Sequence, residues 1–296
     1  MLSESVVHRP PAALRPYLAE AVGYRYEGLT PALHRGLPSP HLTLVIPLDE
    51  PLVMAAHPDP AQLPGGFDAL VGGLHTRPAL IATGTRQAGV QLSLTVAGAR
   101  ALLGVPAGTL GSRDEHLSDV LGSVAAELVE RVRSTRTWAD RFAAVDDVLL
   151  RRAAAGPPAA APELTEAWRL TTGSAGRLPV AVVAERTGWS ERHLRHRFLA
   201  EFGLTPKQAG RVARFGAARR RLGSTVARGE HVDLAGLAVA TGYADQSHLT
   251  REWRELAGLP PRRWLAAEHQ LLRTDADALL RFVQDGSCGR RPGSPA

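Results

Sequence analysis

Cysteine is nearly absent from this sequence: the one thiol, Cys288, falls in a Gly/Ser/Pro-rich stretch near the end. That excludes a disulfide within the chain and any Cys-rich zinc site. A nucleophilic or methyl-accepting cysteine would need an ordered site, which such a stretch does not supply. Long apolar runs are missing too, and none approaches the roughly 18 residues of a membrane helix. The opening MLSESVVHRPP lacks a charged region followed by an apolar one, so a soluble, cytoplasmic protein with no membrane partner is expected. No Gly-Lys-Ser/Thr follows the paired glycines, which removes a phosphate loop. His34, His41, His57 and His75 lack the close His-x-His pair and carboxylate of a cupin-like metal site, so neither metal nor other cofactor is expected.

Lysine is equally scarce, Lys207 being the one example, so nearly every positive charge is a guanidinium. Its distribution is uneven. Between Arg177 and Trp264 lie 16 basic and 8 acidic residues, leaving 19 and 21 of the chain's 35 and 29 for everything else. The positive excess therefore sits in one region, where it would attract a polyphosphate.

The first 96 or so residues carry strand signals between Pro and Gly breaks. His41–Leu48 (HLTLVIPL) and Leu52–Ala56 are apolar, and Val90, Leu92, Leu94 and Val96 alternate with Gln91, Ser93 and Thr95. This period of two predicts a half-buried strand with one wet face. From Ala97 the pattern turns helical. A short helix should close at Gly104, Ser118 should cap one running to Val132, and Thr137 with Asp140 should cap another running to Arg152. Leu121, Val124, Ala125, Leu128 and Val132 form one apolar stripe, and Phe142, Val145, Val148 and Leu149 a second. Such stripes serve equally for the parent core or a homodimer. Gly156-Pro157-Pro158 reads as a linker. The expected organisation is a sensing or dimerising domain over 1–155, a linker and short helix over 156–176, a helical domain over 177–268, and a further helix to Phe282 with a tail to 296.

What stands out is a segment present twice, about 55 residues apart. Gly188-Trp189-Ser190 with Leu194, Phe198, Gly203 and Pro206 is answered by Gly242-Tyr243-Ala244 with Leu249, Trp253, Gly258 and Pro261. Each copy reads as a helix-turn-helix. In the first, Val180, Val183 and Ala184 line a supporting helix and Ser190 caps the next. Leu194, Phe198 and Phe202 face inward there, leaving Arg192, Arg195 and His196 outside. In the second, Leu234, Leu237 and Ala238 support and Asp245 caps. Leu249, Trp253 and Leu256 are buried, and Gln246, Ser247, Thr250 and Arg251 are outside. Arg can bridge O6 and N7 of guanine, Gln can read adenine, and Thr can touch a thymine methyl. His248, beside Leu249, reads as a structural contact. Between the copies, Thr205-Pro206-Lys207-Gln208 starts a helix running to about Leu222. It should bury Val212, Phe215 and Leu222 and expose Arg211, Arg214, Arg220 and Arg221, either for DNA phosphates or as a run complementing the helix C-terminus.

The stretch Leu178–Trp264 resembles the DNA-binding domain of the AraC/XylS family of bacterial transcription regulators. Ala240–Trp253 (ATGYADQSHLTREW) with Gly258-Leu259-Pro260-Pro261 carries the likeness, Trp253 replacing the usual Phe. The resemblance implies that the helices at 191–201 and 246–256 read DNA. More weakly, Gly73–Pro78 and Gly98–Gly104 resemble the sensor part of AraC-like proteins from high-GC bacteria. The fold expected is an α+β N-terminal domain, small, β-rich and open or barrel-like, followed by helices. After it comes an all-α C-terminal domain with two helix-turn-helix units on a long helix. The function expected is a sequence-specific DNA-binding regulator and not an enzyme. Its partners would be double-stranded DNA, RNA polymerase if it activates, a small-molecule effector at the N-terminal domain and a second copy of the chain. The alternatives are a nonspecific nucleoid-type binder and an N-terminal enzyme with a DNA-binding appendage.

Overall fold

The computed structural model describes residues 2–268. The helix expected up to Phe282 and the tail holding Cys288 lie outside the described residues.

Ten strands form two antiparallel sheets. They are β1 (Leu2–His8), β2 (Leu18–Glu27), β3 (Ala32–Gly36), β4 (Leu42–Pro47), β5 (Leu52–Ala56), β6 (Gly65–Phe67), β7 (Leu70–Gly72), β8 (Ala79–Thr83), β9 (Arg86–Leu94) and β10 (Asp114–His116). One sheet has the order β1-β2-β9-β4-β7-β10 and the other β3-β8-β5-β6, and among the described residues no closed ring of strands joins them. The apolar run of β4 takes a central place in the larger sheet, paired to β9 and β7, because both its faces are covered. Leu42, Leu44 and Ile46 join Val90, Leu92 and Leu94 in the core under the helices. Val45 points the other way, toward Leu52, Met54 and Phe67 of the smaller sheet. The alternation in β9 is therefore real, with buried residues on one face and half-buried polar ones on the other. Gln91 and Ser93 are half-buried and line a pocket between the two sheets.

Helices α1 (Val96–Gly98), α2 (Ala107–Leu110), α3 (Leu117–Leu121), α4 (Ser123–Ser134) and α5 (Trp138–Ala155) cover the larger sheet. A π-helical turn at Ala99–Leu103 extends α1 and stops at Gly104, which has φ 83°. Ser118 is not a cap. His116 precedes the first turn of α3, and Gly122, with φ 56°, breaks the expected single helix into α3 and α4, a conformation that glycine adopts without strain. At α5 the Thr137 hydroxyl accepts the Asp140 N–H at 3.1 Å and donates to the Asp140 carboxylate at 2.6 Å. Both apolar stripes are used within the chain: Leu121, Ala125, Leu128 and Val132 of one, and Phe142, Val145, Val148 and Leu149 of the other, are in the core.

After the link at 156–161, the C-terminal helices are α6 (Pro162–Gly173), α7 (Val180–Arg186), α8 (Glu191–Phe202), α9 (Pro206–Ala227), α10 (Leu234–Thr241), α11 (Gln246–Ala257) and α12 (Pro261–Ala267). The helix expected inside the linker is longer, and it belongs to the core. Leu164, Ala167 and Leu170 of α6 are buried, and its Trp168 packs on Phe198 and Phe202 of α8, with ring centroids 5.7 and 4.6 Å away.

Candidate nucleic-acid interface

Each helix-turn-helix unit follows from local chemistry. In the first, Gly188 takes φ 71° after α7, and the Ser190 hydroxyl accepts the His193 N–H at 3.3 Å to start α8. In the second, Asp233 caps α10, Gly242 takes φ 82°, and Asp245 accepts the His248 N–H at 2.7 Å to start α11. These devices satisfy amide groups that a helix start leaves open. Leu194, Phe198 and Phe202 seal the inner face of α8. Leu249, Trp253 and Leu256 do the same for α11, with Trp253 edge-on to Phe215 of α9 at 5.0 Å.

The opposite faces stay in solvent. Arg192, Arg195 and His196 on α8 are exposed, as are Gln246, Ser247 and Arg251 on α11, while Thr250 is half-buried. Arg197, which the sequence reading did not single out, is exposed on α8 as well. His248 is a contact residue: its Nδ1 accepts the Ala244 N–H at 3.3 Å, and its ring lies edge-on to Tyr243 at 5.3 Å.

The linking helix α9 starts with a full capping box between Thr205 and Gln208 and runs five residues beyond the expected Leu222. Its 22 residues correspond to a rod of about 33 Å. Val212, Phe215 and Leu222 are buried as expected. The arginines need correction. Arg211 donates to Glu252 at 2.6 Å and also to Glu255, both on α11. Burial works against the charge of Arg211, but the hydrogen bonds and charges of the two glutamates together outweigh it, so its pKa is raised. Arg214 lies over the Tyr243 ring at 5.4 Å and reaches the Gly242 carbonyl at 3.4 Å. Both therefore tie the second unit to α9, and both are half-buried where full exposure was expected. Arg220 is half-buried, and Arg221 is the one of the four that is fully exposed.

Sequence reasoning also missed how both units meet the N-terminal domain. Arg100 forks onto Glu201 of α8 with two bonds of 2.6 Å. His34 Nδ1 lies 2.7 Å from Glu268 Oε2, and the Arg35 N–H donates to Glu268 Oε1 at 3.1 Å. Near this second junction lies a cavity of about 180 Å³, walled by residues such as Tyr24, Met54, Gln91 and Asp114 and bordered by Arg219 and Trp264 of the C-terminal domain. Burial raises both the Tyr24 phenol and the Asp114 carboxyl, the latter against the lowering pull of the His57 hydrogen bond. Among the described residues, no cluster of three or more His, Cys, Asp or Glu side chains could hold a metal ion, and no helix is long and apolar enough to cross a membrane.

Fold and surface together define a class: a chain with a β-rich N-terminal domain and a tandem helix-turn-helix domain. Residues 183–267 match the family model described as a helix-turn-helix domain, and the AraC/XylS resemblance is borne out there. Among solved structures, a point variant of apo ToxT from Vibrio cholerae superposes with a TM-score of 0.51 at 9% identity, covering 88% of this chain and 99% of its own. That likeness shows a shared fold. ToxT bound to an unsaturated fatty acid reaches a TM-score of 0.46 at 9% identity, over 82% of this chain and 93% of its own. The AraC-like transcriptional activator CuxR reaches 0.26 at 14%, over 77% and 88%. These last two are too loose to argue from. No curated protein matches the sequence.

Proposed function

We propose that the protein is a sequence-specific DNA-binding regulator of transcription whose helices α8 and α11 enter successive major grooves on one face of the duplex. Arg192, Arg195 and His196 read one half of the site, and Gln246, Ser247, Thr250 and Arg251 read the other. The observation that carries this reading is the pairing of sealed inner faces with polar outer faces on two helices held by one continuous rod, α9. Such a rod suits two grooves one helical turn, roughly 34 Å, apart. Arg221 supplies a phosphate contact that adds affinity without sequence information.

The cavity between the sheets is the proposed seat of a small-molecule effector, since residues of both sheets such as Tyr24 and Met54 wall it and Arg219 and Trp264 of the reading domain border it. RNA polymerase would be a further partner of an activator.

Selection from random duplexes with the full chain, followed by salt-titrated binding, tests the reading. A regulator should prefer its selected site over scrambled DNA by a factor on the order of 10³ or more. Equal affinity for all sequences with a steep salt slope would instead indicate a nonspecific binder. Turnover by the N-terminal domain would restore the enzyme alternative.

A further inference from the structure

The two reading units follow the same sequence logic, yet they are attached to the N-terminal domain in different ways. The first is fused to it. Leu194, Phe198, Phe202 and Leu204 belong to one continuous core with Leu102 and Leu110. A Cβ added to Gly108 of α2 would lie 2.4 Å from the Ala200 carbonyl oxygen and 2.9 Å from the Gly203 nitrogen, so the two backbones touch there. The second unit has a separate core, running from Val212 to Trp264. Its contacts with the N-terminal domain include Leu37 at the edge of that core, Pro78 against Gly258, and the carboxylate of Glu268.

We propose that Glu268 is a positioning residue that fixes the second reading helix relative to the first, and thereby sets which spacing between half-sites the protein accepts. The inference rests on the DNA-reading function proposed above. Glu268 is 2% exposed although it ends a surface helix. It takes His34 Nδ1 on one oxygen, and on the other the Arg35 N–H, with the Arg35 guanidinium at 3.6 Å. Strand β3 is the outer strand of its sheet, and an edge strand carries backbone groups in need of partners. Glu268 supplies one. From there the constraint passes through α12, whose Trp264 packs on Trp253 of α11 with centroids 5.6 Å apart. The units also repeat each other at this point: the glycines that end the two recognition helices, Gly203 with φ 74° and Gly258 with φ 75°, both rest on the N-terminal domain. Without the Glu268 contact, the carboxylate tie to β3 is lost, and α11 is placed by α9 together with the remaining apolar contacts at Leu37 and Pro78. A helix of about 33 Å bends gently. Each base pair inserted between half-sites moves the second by about 3.4 Å and turns it by roughly 35°, so small freedom in α9 changes which spacings are tolerated.

The test uses the full chain and a site selected from random duplexes. Binding is measured on that site with zero to five base pairs inserted between its halves, for the wild type, Glu268→Ala, Glu268→Gln and His34→Ala. The wild type should lose at least about tenfold on insertion of two or three base pairs. Glu268→Ala should bind the original site within a few-fold of wild type but lose much less on insertion. Glu268→Gln, which keeps an oxygen for the Arg35 N–H, should regain part of the discrimination. His34→Ala removes the partner on β3 without touching α12, and it should broaden tolerance in the same direction. A merely structural role would lower affinity for every spacing alike. If both alanine variants keep the wild-type spacing profile, the inference is wrong while the function stands. If the wild type enriches no sequence, the proposed function fails and the inference with it.

Discussion

Replacing Arg211 by Ala tests whether this guanidinium is a structural tie or a phosphate contact. In the folded chain it donates to Glu252 at 2.6 Å and also to Glu255. Glu252 is 8% exposed, and its other oxygen has no hydrogen-bond partner. Removing the arginine would leave that carboxylate charged and nearly dry. Breaking a fully buried pair costs about 3–5 kcal/mol, and the Arg211 side chain is 25% exposed, so partial hydration should reduce this to about 2–3 kcal/mol. Urea unfolding of the full chain, followed by tryptophan fluorescence because Trp253 and Trp264 sit in the affected core, would measure the loss. Arg211→Met combined with Glu252→Leu should recover most of it, since no buried charge is then stranded. At a temperature where the variant stays folded, the salt dependence of DNA binding should match the wild type. A phosphate contact would instead flatten the slope of log K against log salt by about 0.9. Unchanged stability together with a flattened slope would refute the structural assignment.

Arg195→Ala and Arg251→Ala should each reduce discrimination between the selected site and base-substituted versions by about 1–3 kcal/mol, whereas Arg221→Ala should weaken all sequences alike; competition binding distinguishes the two patterns. Gly108→Ala must force α2 and α8 apart, because the new methyl would sit 2.4 Å from the Ala200 oxygen; a loss of about 1–3 kcal/mol in urea unfolding is expected, and none would mean the contact is not tight. Trp253→Ala should cost about 3–5 kcal/mol and abolish protection of the second half-site in a footprint while the first is retained. Asp245→Ala removes the cap of α11 and should cost about 1 kcal/mol by thermal unfolding.

The C-terminal domain was legible because its signals are local. Gly188 and Gly242 mark turns, Ser190 and Asp245 mark starts, and every-fourth-residue apolar positions mark inner faces, all within a dozen residues. Much of the N-terminal domain was not legible in this way. Strand β2 carries a bulge between Leu18 and Glu20 and a glycine, Gly23, where a Cβ would strike the Trp138 ring at 2.4 Å. The glycine makes room for a helix more than a hundred residues away. The period-two pattern of β9 correctly gave two unlike faces, but no sequence pattern states whether a polar face meets water or a cavity. The same limit explains Arg211. A basic residue on a helix surface looks identical in sequence whether it faces phosphate or a glutamate 41 positions on.

An internal repeat invites the assumption that both copies behave alike, and the cores argue otherwise. The first unit cannot move without opening the hydrophobic core that it shares with the sheet, and the close backbone contact at Gly108 adds to that cost. The second unit can move while its own core stays closed, because that core is separate and its contacts with the N-terminal domain, among them Leu37, Pro78 and the Glu268 carboxylate, lie outside it or at its edge. Any change in the N-terminal domain that reaches the DNA-reading surface should therefore do so first through α11. The cavity borders this junction, since Arg35 and Glu268 are among its lining residues. Hydrogen exchange would register such a change as faster exchange in α10 and α11 with α7 and α8 unaltered. Equal acceleration in all four helices would mean that the shared core of the first unit is weaker than its packing implies.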